Sequence, residues 1–124
     1  MWTREELQKL LDAYAKAYQA GDAAACAKMY TLDGELHSPY APPARGRSEI
    51  EALHRTWTED VNGEKKLTVV HAGGSNDLIW CLATYTEGHA TGNGTSLNIL
   101  ERQSDGIWLI RVSSLNSTDR PTGS

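Results

Sequence analysis

The hydrophobic periodicity of the sequence changes once, at Asn62-Gly63, and that change limits the fold classes open to the chain. Ahead of it, Leu7, Leu10, Leu11, Tyr14 and Tyr18 recur at the spacing of one helix face. Thr3 with Glu6 forms a capping box for a helix over residues 3–20, and Gly21 ends it. Asp22 caps a second, Ala-rich helix over 23–30 that carries Cys26, Met29 and Tyr30. Asp33-Gly34 reads as a turn, residues 35–38 as a short strand stopped by Pro39, and the stretch to Gly46 as a rigid loop through Pro42 and Pro43. Ser48 with Glu51 forms another capping box, before a third helix with Ile50, Leu53, His54, Trp57 and Val61 on one face. After Asn62-Gly63, four strand-like runs follow, over 66–72, 78–89, 95–103 and 107–115. Gly73-Gly74, the Gly88 to Gly94 stretch and Asp105-Gly106 separate them, the last as a hairpin signal. Helices followed by an antiparallel sheet predict an α+β class, with one domain over residues 1–116 and a polar, frayed tail over 117–124.

With 124 residues the chain makes one domain and not two. A net charge of −4 with scattered Lys and Arg argues against nucleic acid as a partner. No apolar run reaches the length of about eighteen residues that signals a membrane span. The acidic start, Met-Trp-Thr-Arg-Glu-Glu, lacks the pattern of a signal peptide, so a cytoplasmic location is expected. Cys26 and Cys81 are then expected as buried free thiols, and the widely spaced His and Cys give no metal-ligand pattern.

Candidate functional residues cluster between Tyr14 and Trp57. The chain has five Tyr and no Phe, and polar aromatic or imidazole side chains stand where a packed interior prefers Leu or Phe. A Tyr or His turned inward requires a partner for its polar atom, or a ligand that supplies one. Tyr14 and His54 therefore each carry two readings, a core-edge residue satisfied by a neighbour or a pocket residue.

The motifs Tyr18-Gln-Ala-Gly-Asp22, Met29-Tyr-Thr-Leu-Asp-Gly34, Ala41-Pro-Pro-Ala-Arg-Gly-Arg47 and Asn116-Ser-Thr-Asp-Arg-Pro121 sharpen this. With them the chain resembles the nuclear-transport-factor-2-like superfamily, and within it the SnoaL-like and ketosteroid-isomerase-like group. The resemblance implies a cone-shaped (cystatin-like) fold with three N-terminal helices on a curved antiparallel sheet. In the isomerases of that group a carboxylate base works beside an oxyanion hole made by a tyrosine and a protonated aspartate. By this resemblance Tyr14 falls at the oxyanion tyrosine, Tyr30 at a second tyrosine and His54 at a third, so a Tyr14–Tyr30–His54 network is expected. Ser38 falls where the base should stand, and Asn98 where the aspartic acid should. A serine hydroxyl is too weakly basic to take a proton from carbon near neutral pH, so the resemblance does not extend to the conventional ketosteroid isomerase reaction.

The expected function is a small-molecule pocket, of a cofactor-independent enzyme of the isomerase, cyclase or lyase type. Its ligand would be a small apolar carbonyl-bearing or polycyclic compound. Tyr14 and Asn98 would donate hydrogen bonds to its oxygen and His54 would transfer protons. Asn98 turns inward when Ser96, Asn98 and Leu100 share a face. Tyr18, Tyr30, Ser38, Trp57 and Tyr85 would line the pocket, with no metal and no cofactor. Two other classes remain open. One is a non-catalytic binding or association module, homodimeric through the outer sheet face around Trp80, Leu82, Leu109 and Val112. The other is a hydrolase that activates water with Glu87 or Glu101. The Glu87–His89 pair reads more simply as an exposed strand end.

Overall fold

The computed structural model describes residues 2–59, 64–86 and 92–119. The helix started by Thr3 is α1, Arg4–Gln19, and the Thr3 hydroxyl accepts from the Glu6 amide. Asp22 caps α2, Ala23–Lys28, by accepting from the Ala25 amide. The third helix, α3, spans Arg47–Thr58 with Gly46 as its N-cap and no side-chain cap. Ser48 therefore lies inside the first turn instead of capping it. The start is held from the other direction, because the Glu49 carboxylate accepts from the Arg45 amide.

The strands are β1 (Tyr30–His37), β2 (Ala44–Arg45), β3 (Lys66–Gly74), β4 (Leu78–Thr86), β5 (Gly94–Arg102) and β6 (Trp108–Ser117). They form one sheet in the order β2-β1-β6-β5-β4-β3. The pairs β3–β4, β4–β5 and β5–β6 are antiparallel, as expected, but β1 joins β6 in parallel, so the sheet is mixed. The third helix enters the chain after β1 and β2, so the three helices do not all precede the strands. β6 runs through Ser117, one residue into the expected tail, and residues 120–124 lie outside the described residues. The position of Val61 and of the Glu87–His89 pair lies outside them too.

Two irregularities shape the sheet near its centre. Ile99 pairs with Val112 and Leu100 with Ile110, which leaves Arg111 as the extra residue of a β-bulge. On the other side of β6, Tyr30 pairs with Ile110 and Glu35 with Val112, so residues 31–34 stand opposite that same Arg111. Asp33-Gly34, expected as a turn ahead of the strand, is thus an outward bulge within β1. Arg111 ties it down, donating from Nη1 to the Asp33 carbonyl at 2.9 Å. The Asp105-Gly106 signal does make a hairpin. The Gly106 amide donates to the Gln103 carbonyl, and Gly106 takes a φ of 85° that suits glycine.

The core lies between the inner sheet face and the helices, with Leu7, Leu11 and Tyr18 of α1 facing Ile50 and Trp57 of α3 and Leu36, Ile79, Tyr85 and Leu100 of the sheet. Gln8 covers the sheet edge at β3: its Nε2 donates to the Leu67 carbonyl at 2.8 Å and its Oε1 accepts from the Val69 amide at 2.9 Å. That pairing satisfies edge groups that would otherwise invite another strand. Cys26 and Cys81 are buried free thiols, and burial pushes them up to about 12 and about 11.

Candidate functional site

A cavity lies between α1 and the inner face of the sheet. Leu11, Leu67, Ile110 and Leu115 give it apolar walls, and Tyr14, Tyr30, Lys65, Tyr85, Ser96, Asn98 and Ser113 bring polar atoms. It offers about 30 Å³ to the centres of water molecules. One water needs roughly 10–15 Å³ on that measure, so the space suits about two waters or a compact organic molecule. A polycyclic compound does not fit this conformation.

The polar floor comes from β5 and β6. The Ser113 hydroxyl donates to Asn98 Oδ1 at 2.8 Å, and Asn98 Nδ2 donates to Ser96 Oγ at 3.1 Å. The two bonds run in one direction, Ser113 to Asn98 to Ser96, across three buried strand positions. Burial pushes the Tyr30 phenol up, and the Ser113 contact opposes the shift.

Tyr14 stands on α1 and bonds back to α3, its hydroxyl 2.6 Å from His54 Nε2. The direction of this bond follows from the other ring nitrogen. His54 Nδ1 lies 2.8 Å from the Ile50 carbonyl, which has no proton to give, so Nδ1 carries the hydrogen. Nε2 is then a lone pair, and Tyr14 donates to it. Burial holds His54 down at about 4, with the Ile50 hydrogen bond opposing and the positive field of Lys65 adding to the shift. The imidazole is accordingly neutral near pH 7, and Tyr14 turns its proton toward His54 while its oxygen lone pairs can accept from other groups.

The residues expected from sequence divide into two groups. Tyr14, Tyr30, Tyr85 and Asn98 line the common cavity. His54, Tyr18, Trp57 and Ser38 are not among its lining residues. His54 is fully buried behind Tyr14, with the Trp57 ring centroid 5.5 Å from its own. Tyr18 is also fully buried, and its hydroxyl donates to the Trp57 carbonyl at 3.5 Å. Ser38 makes a turn contact, its Oγ accepting from the Tyr40 amide at 3.2 Å. The expected three-residue network is present as one hydrogen bond: the Tyr30 ring packs at 6.3 Å from His54, but its hydroxyl turns to Ser113. Glu101, the described candidate for a water-activating carboxylate, alternates with the buried Leu100 and sits on the outer face, away from the cavity.

Four contributors escape sequence reasoning. Lys65 is 5% exposed and lines the cavity, with its Nζ 4.1 Å from the centroid of the Tyr18 ring and 5.4 Å from that of Tyr85. Tyr40 meets Tyr85 hydroxyl to hydroxyl at 2.5 Å. Ser113 and Leu115 face inward because of the bulge at Arg111. Among the described residues, no group of three or more His, Cys, Asp or Glu could hold a metal ion, and no helix is long and apolar enough to cross a membrane.

A curved mixed sheet closed by helices over a buried polar floor defines the cystatin-like, nuclear-transport-factor-2-like class of folds, a scaffold for ligand pockets that is often enzymatic. The sequence matches the model of the SnoaL-like domain over residues 11–114, and the chain belongs to that family. No curated protein matches the sequence significantly. Among solved structures, a protein of unknown function from Mycobacterium tuberculosis is similar with a TM-score of 0.78 at 23% identity, over 94% of this chain and 71% of that one. A ketosteroid isomerase-like protein from Erwinia carotovora has a TM-score of 0.68 at 24% identity, over 90% of this chain and 98% of its own. A putative calcium/calmodulin-dependent protein kinase type II association domain from Thiobacillus denitrificans has a TM-score of 0.74 at 17% identity, over 89% and 93% of the two chains. At these identities the likeness is one of fold.

Proposed function

We propose that the cavity is the ligand site of an enzyme of the isomerase, cyclase or lyase kind that needs no cofactor and acts on a compact carbonyl-bearing compound. The observation that carries this reading is a partly open, apolar-walled cavity onto which Tyr14, Asn98 and Ser113 converge with their polar atoms already oriented. Such pre-set dipoles are what a reacting oxygen requires. The roles differ from a plain oxyanion hole. Asn98 uses one amide hydrogen on Ser96 and has a second for a ligand oxygen. Tyr14, which donates to His54, meets the ligand through its lone pairs and so favours a hydroxyl or enol group there. His54 acts on the ligand only through Tyr14, as a positioning residue whose Nε2 accepts the Tyr14 hydrogen bond.

Tyr14→Phe tests the assignment. It removes the acceptor and leaves the buried Nε2 of His54 unpartnered, which costs about 1–3 kcal/mol of stability. Turnover or binding across a panel of small ketones and epoxides is expected to fall about tenfold or more, with the fold retained by circular dichroism. Unchanged binding and turnover would refute the role of Tyr14. Binding without turnover in the parent protein favours the non-catalytic module instead, a reading supported by the lack of any carboxylate among the described lining residues.

The outer sheet face supports a homodimer. Trp80, Ile99 and Val112 align across β4, β5 and β6, and Leu82 aligns with Leu97 in the next row. Trp80 and Leu97 are each 42% exposed, an apolar patch of the kind that marks an interface. The Trp80 indole lies across Gly73, where an added Cβ would sit 2.9 Å from Cζ2. Sedimentation is expected to show a dimer that Trp80→Glu converts to monomer, and a parent protein that sediments as a monomer refutes it.

A further inference from the structure

We propose that Tyr40 sets the length of ligand this cavity admits, by holding the Tyr85 ring as its end wall. The proposal rests on the reading of the cavity as a ligand site and adds the size of the compound and the residue that fixes it. Tyr85 is 2% exposed and lines the cavity with Ser96 and Leu115. Its ring lies over Gly94, the residue opposite it on β5, where an added Cβ would sit 2.6 Å from Cζ. Its hydroxyl donates to the Asn116 carbonyl of β6 at 3.5 Å and meets the Tyr40 hydroxyl at 2.5 Å. Tyr85 thus reaches from β4 to β6 across the inner face of the sheet and closes the cavity at that end.

Tyr40 is the part of this closure that no helix or strand carries. It lies in the loop between β1 and β2 and is half-buried. Its amide donates to Ser38 Oγ at 3.2 Å, and its ring meets that of Trp57 edge-on with centroids 6.3 Å apart. Ser38 and Trp57 are two of the residues expected in the pocket that do not line the cavity. Both touch Tyr40, and Tyr40 touches Tyr85, so the contacts run in series from these two residues to the wall.

With Tyr40 in place the cavity ends at Tyr85 and suits a compact molecule. A longer one must break the hydroxyl contact and displace a packed ring, and both resist it. With the Tyr40 side chain removed, the Tyr85 ring gains room on the Trp57 side and the cavity lengthens in that direction. Tyr85 has other contacts, the Lys65 ammonium at 5.4 Å from its ring centroid among them, so the loss of Tyr40 shifts the ring without unfolding its strand.

Butanone and 2-octanone, which share a carbonyl and differ in length, test this. Each is titrated into the parent protein, Tyr40→Phe and Tyr40→Ala, with amide chemical shifts as readout. The parent is expected to bind butanone, with shifts at Tyr14, Asn98 and Ser113, and to keep 2-octanone from those residues. Tyr40→Ala is expected to take 2-octanone on the order of tenfold more tightly than the parent does, with shifts that extend to Ser38 and Trp57. Tyr40→Phe keeps the ring against Trp57, loses the hydroxyl contact and falls between the two. Butanone affinity stays close to that of the parent in both variants, whereas a merely structural role for Tyr40 would weaken both ketones alike. Should Tyr40→Ala fail to fold, Tyr40→Phe alone must show the gain for 2-octanone. An unchanged length preference in the folded variants, an equal loss of both ketones, or a parent that takes 2-octanone as readily as butanone overturns the Tyr40 assignment and leaves the cavity reading intact. If neither ketone perturbs the cavity residues in any of the three proteins, both readings fall.

Discussion

Acidifying the protein from pH 7 to pH 4 is expected to remove about 3 kcal/mol of folding stability through His54 alone. The folded protein holds His54 at about 4, against an ordinary value of 6.5. A base with a depressed folded value favours the fold while it is neutral. The contribution is therefore complete above pH 6.5 and is lost as pH falls toward 4, where the unfolded chain binds a proton that the folded chain refuses. A tenfold change in proton affinity is worth about 1.4 kcal/mol. The cause is concrete: charging the ring would put an imidazolium in the core, turn Nε2 into a donor against the Tyr14 proton, and face it toward Lys65. Urea unfolding at a series of pH values checks this, with His54→Leu as the comparison. Carboxylates titrate in both proteins, so the difference between the two curves isolates His54. The difference should change by about 3 kcal/mol between pH 7 and pH 4; parallel curves would mean that the ring is not buried neutral.

Gly94→Ala is expected to be among the most damaging single substitutions. A Cβ at Gly94 would lie 2.1 Å from the Asn116 carbonyl oxygen and 2.5 Å from the Tyr85 hydroxyl. Neither can yield easily. Asn116 is paired in the β5–β6 ladder opposite Thr95, and the Tyr85 hydroxyl is held by Tyr40. Overpacking at a backbone atom costs about 3 kcal/mol or more, so the melting temperature should fall by about 10 °C or more. Gly106→Ala is the contrasting case. Nothing lies within 4 Å of its added Cβ, and the strain comes from a φ of 85° alone, which costs about 1–2 kcal/mol. A thermal melt of the two variants ranks them, and a smaller loss for Gly94→Ala than for Gly106→Ala would contradict the close approach of β4, β5 and β6 at this end of the sheet.

The helices and the last four strands are legible in the sequence because their signals are local. Leu7 to Tyr18 repeat at helical spacing, Thr3 and Asp22 cap where they stand, and β3 to β6 alternate between turn residues. What is not legible is decided elsewhere in the fold. The parallel pairing of β1 with β6 joins segments some eighty residues apart, and nothing in either announces the other. Asp33-Gly34 carries the same residues whether it ends a strand or bulges from one. The bulge at Arg111 matters most for the site. Simple alternation inward from Ile110 would bring Val112 to the cavity and send Ser113 outward. One extra residue reverses this and puts Ser113 beside Asn98.

The candidate site shows the same division. Tyr14 and His54 stand out because polar side chains interrupt apolar helix faces, while Asn98 and the pairing of Tyr14 with His54 come from the resemblance to the isomerase group; the structure has that contact at 2.6 Å. The direction of that hydrogen bond does not follow from sequence, since it depends on the Ile50 carbonyl behind the ring. Lys65 is hidden for the opposite reason. Beside Glu64 and Lys66 it reads as one more solvated charge, and only the fold of α1 over β3 buries it against Tyr18 and Tyr85.

The central claim is that the space lined by Tyr14, Asn98, Ser113 and Lys65 is where this protein meets a small molecule. Amide chemical-shift mapping with a panel of compact ketones tests it most directly. The predicted result is saturable shifts gathered on Leu11, Tyr14, Tyr30, Lys65, Asn98 and Ser113, with the outer-face residues Trp80 and Leu97 unmoved. No saturable shift for any member of the panel, or shifts confined to the outer face, would contradict it.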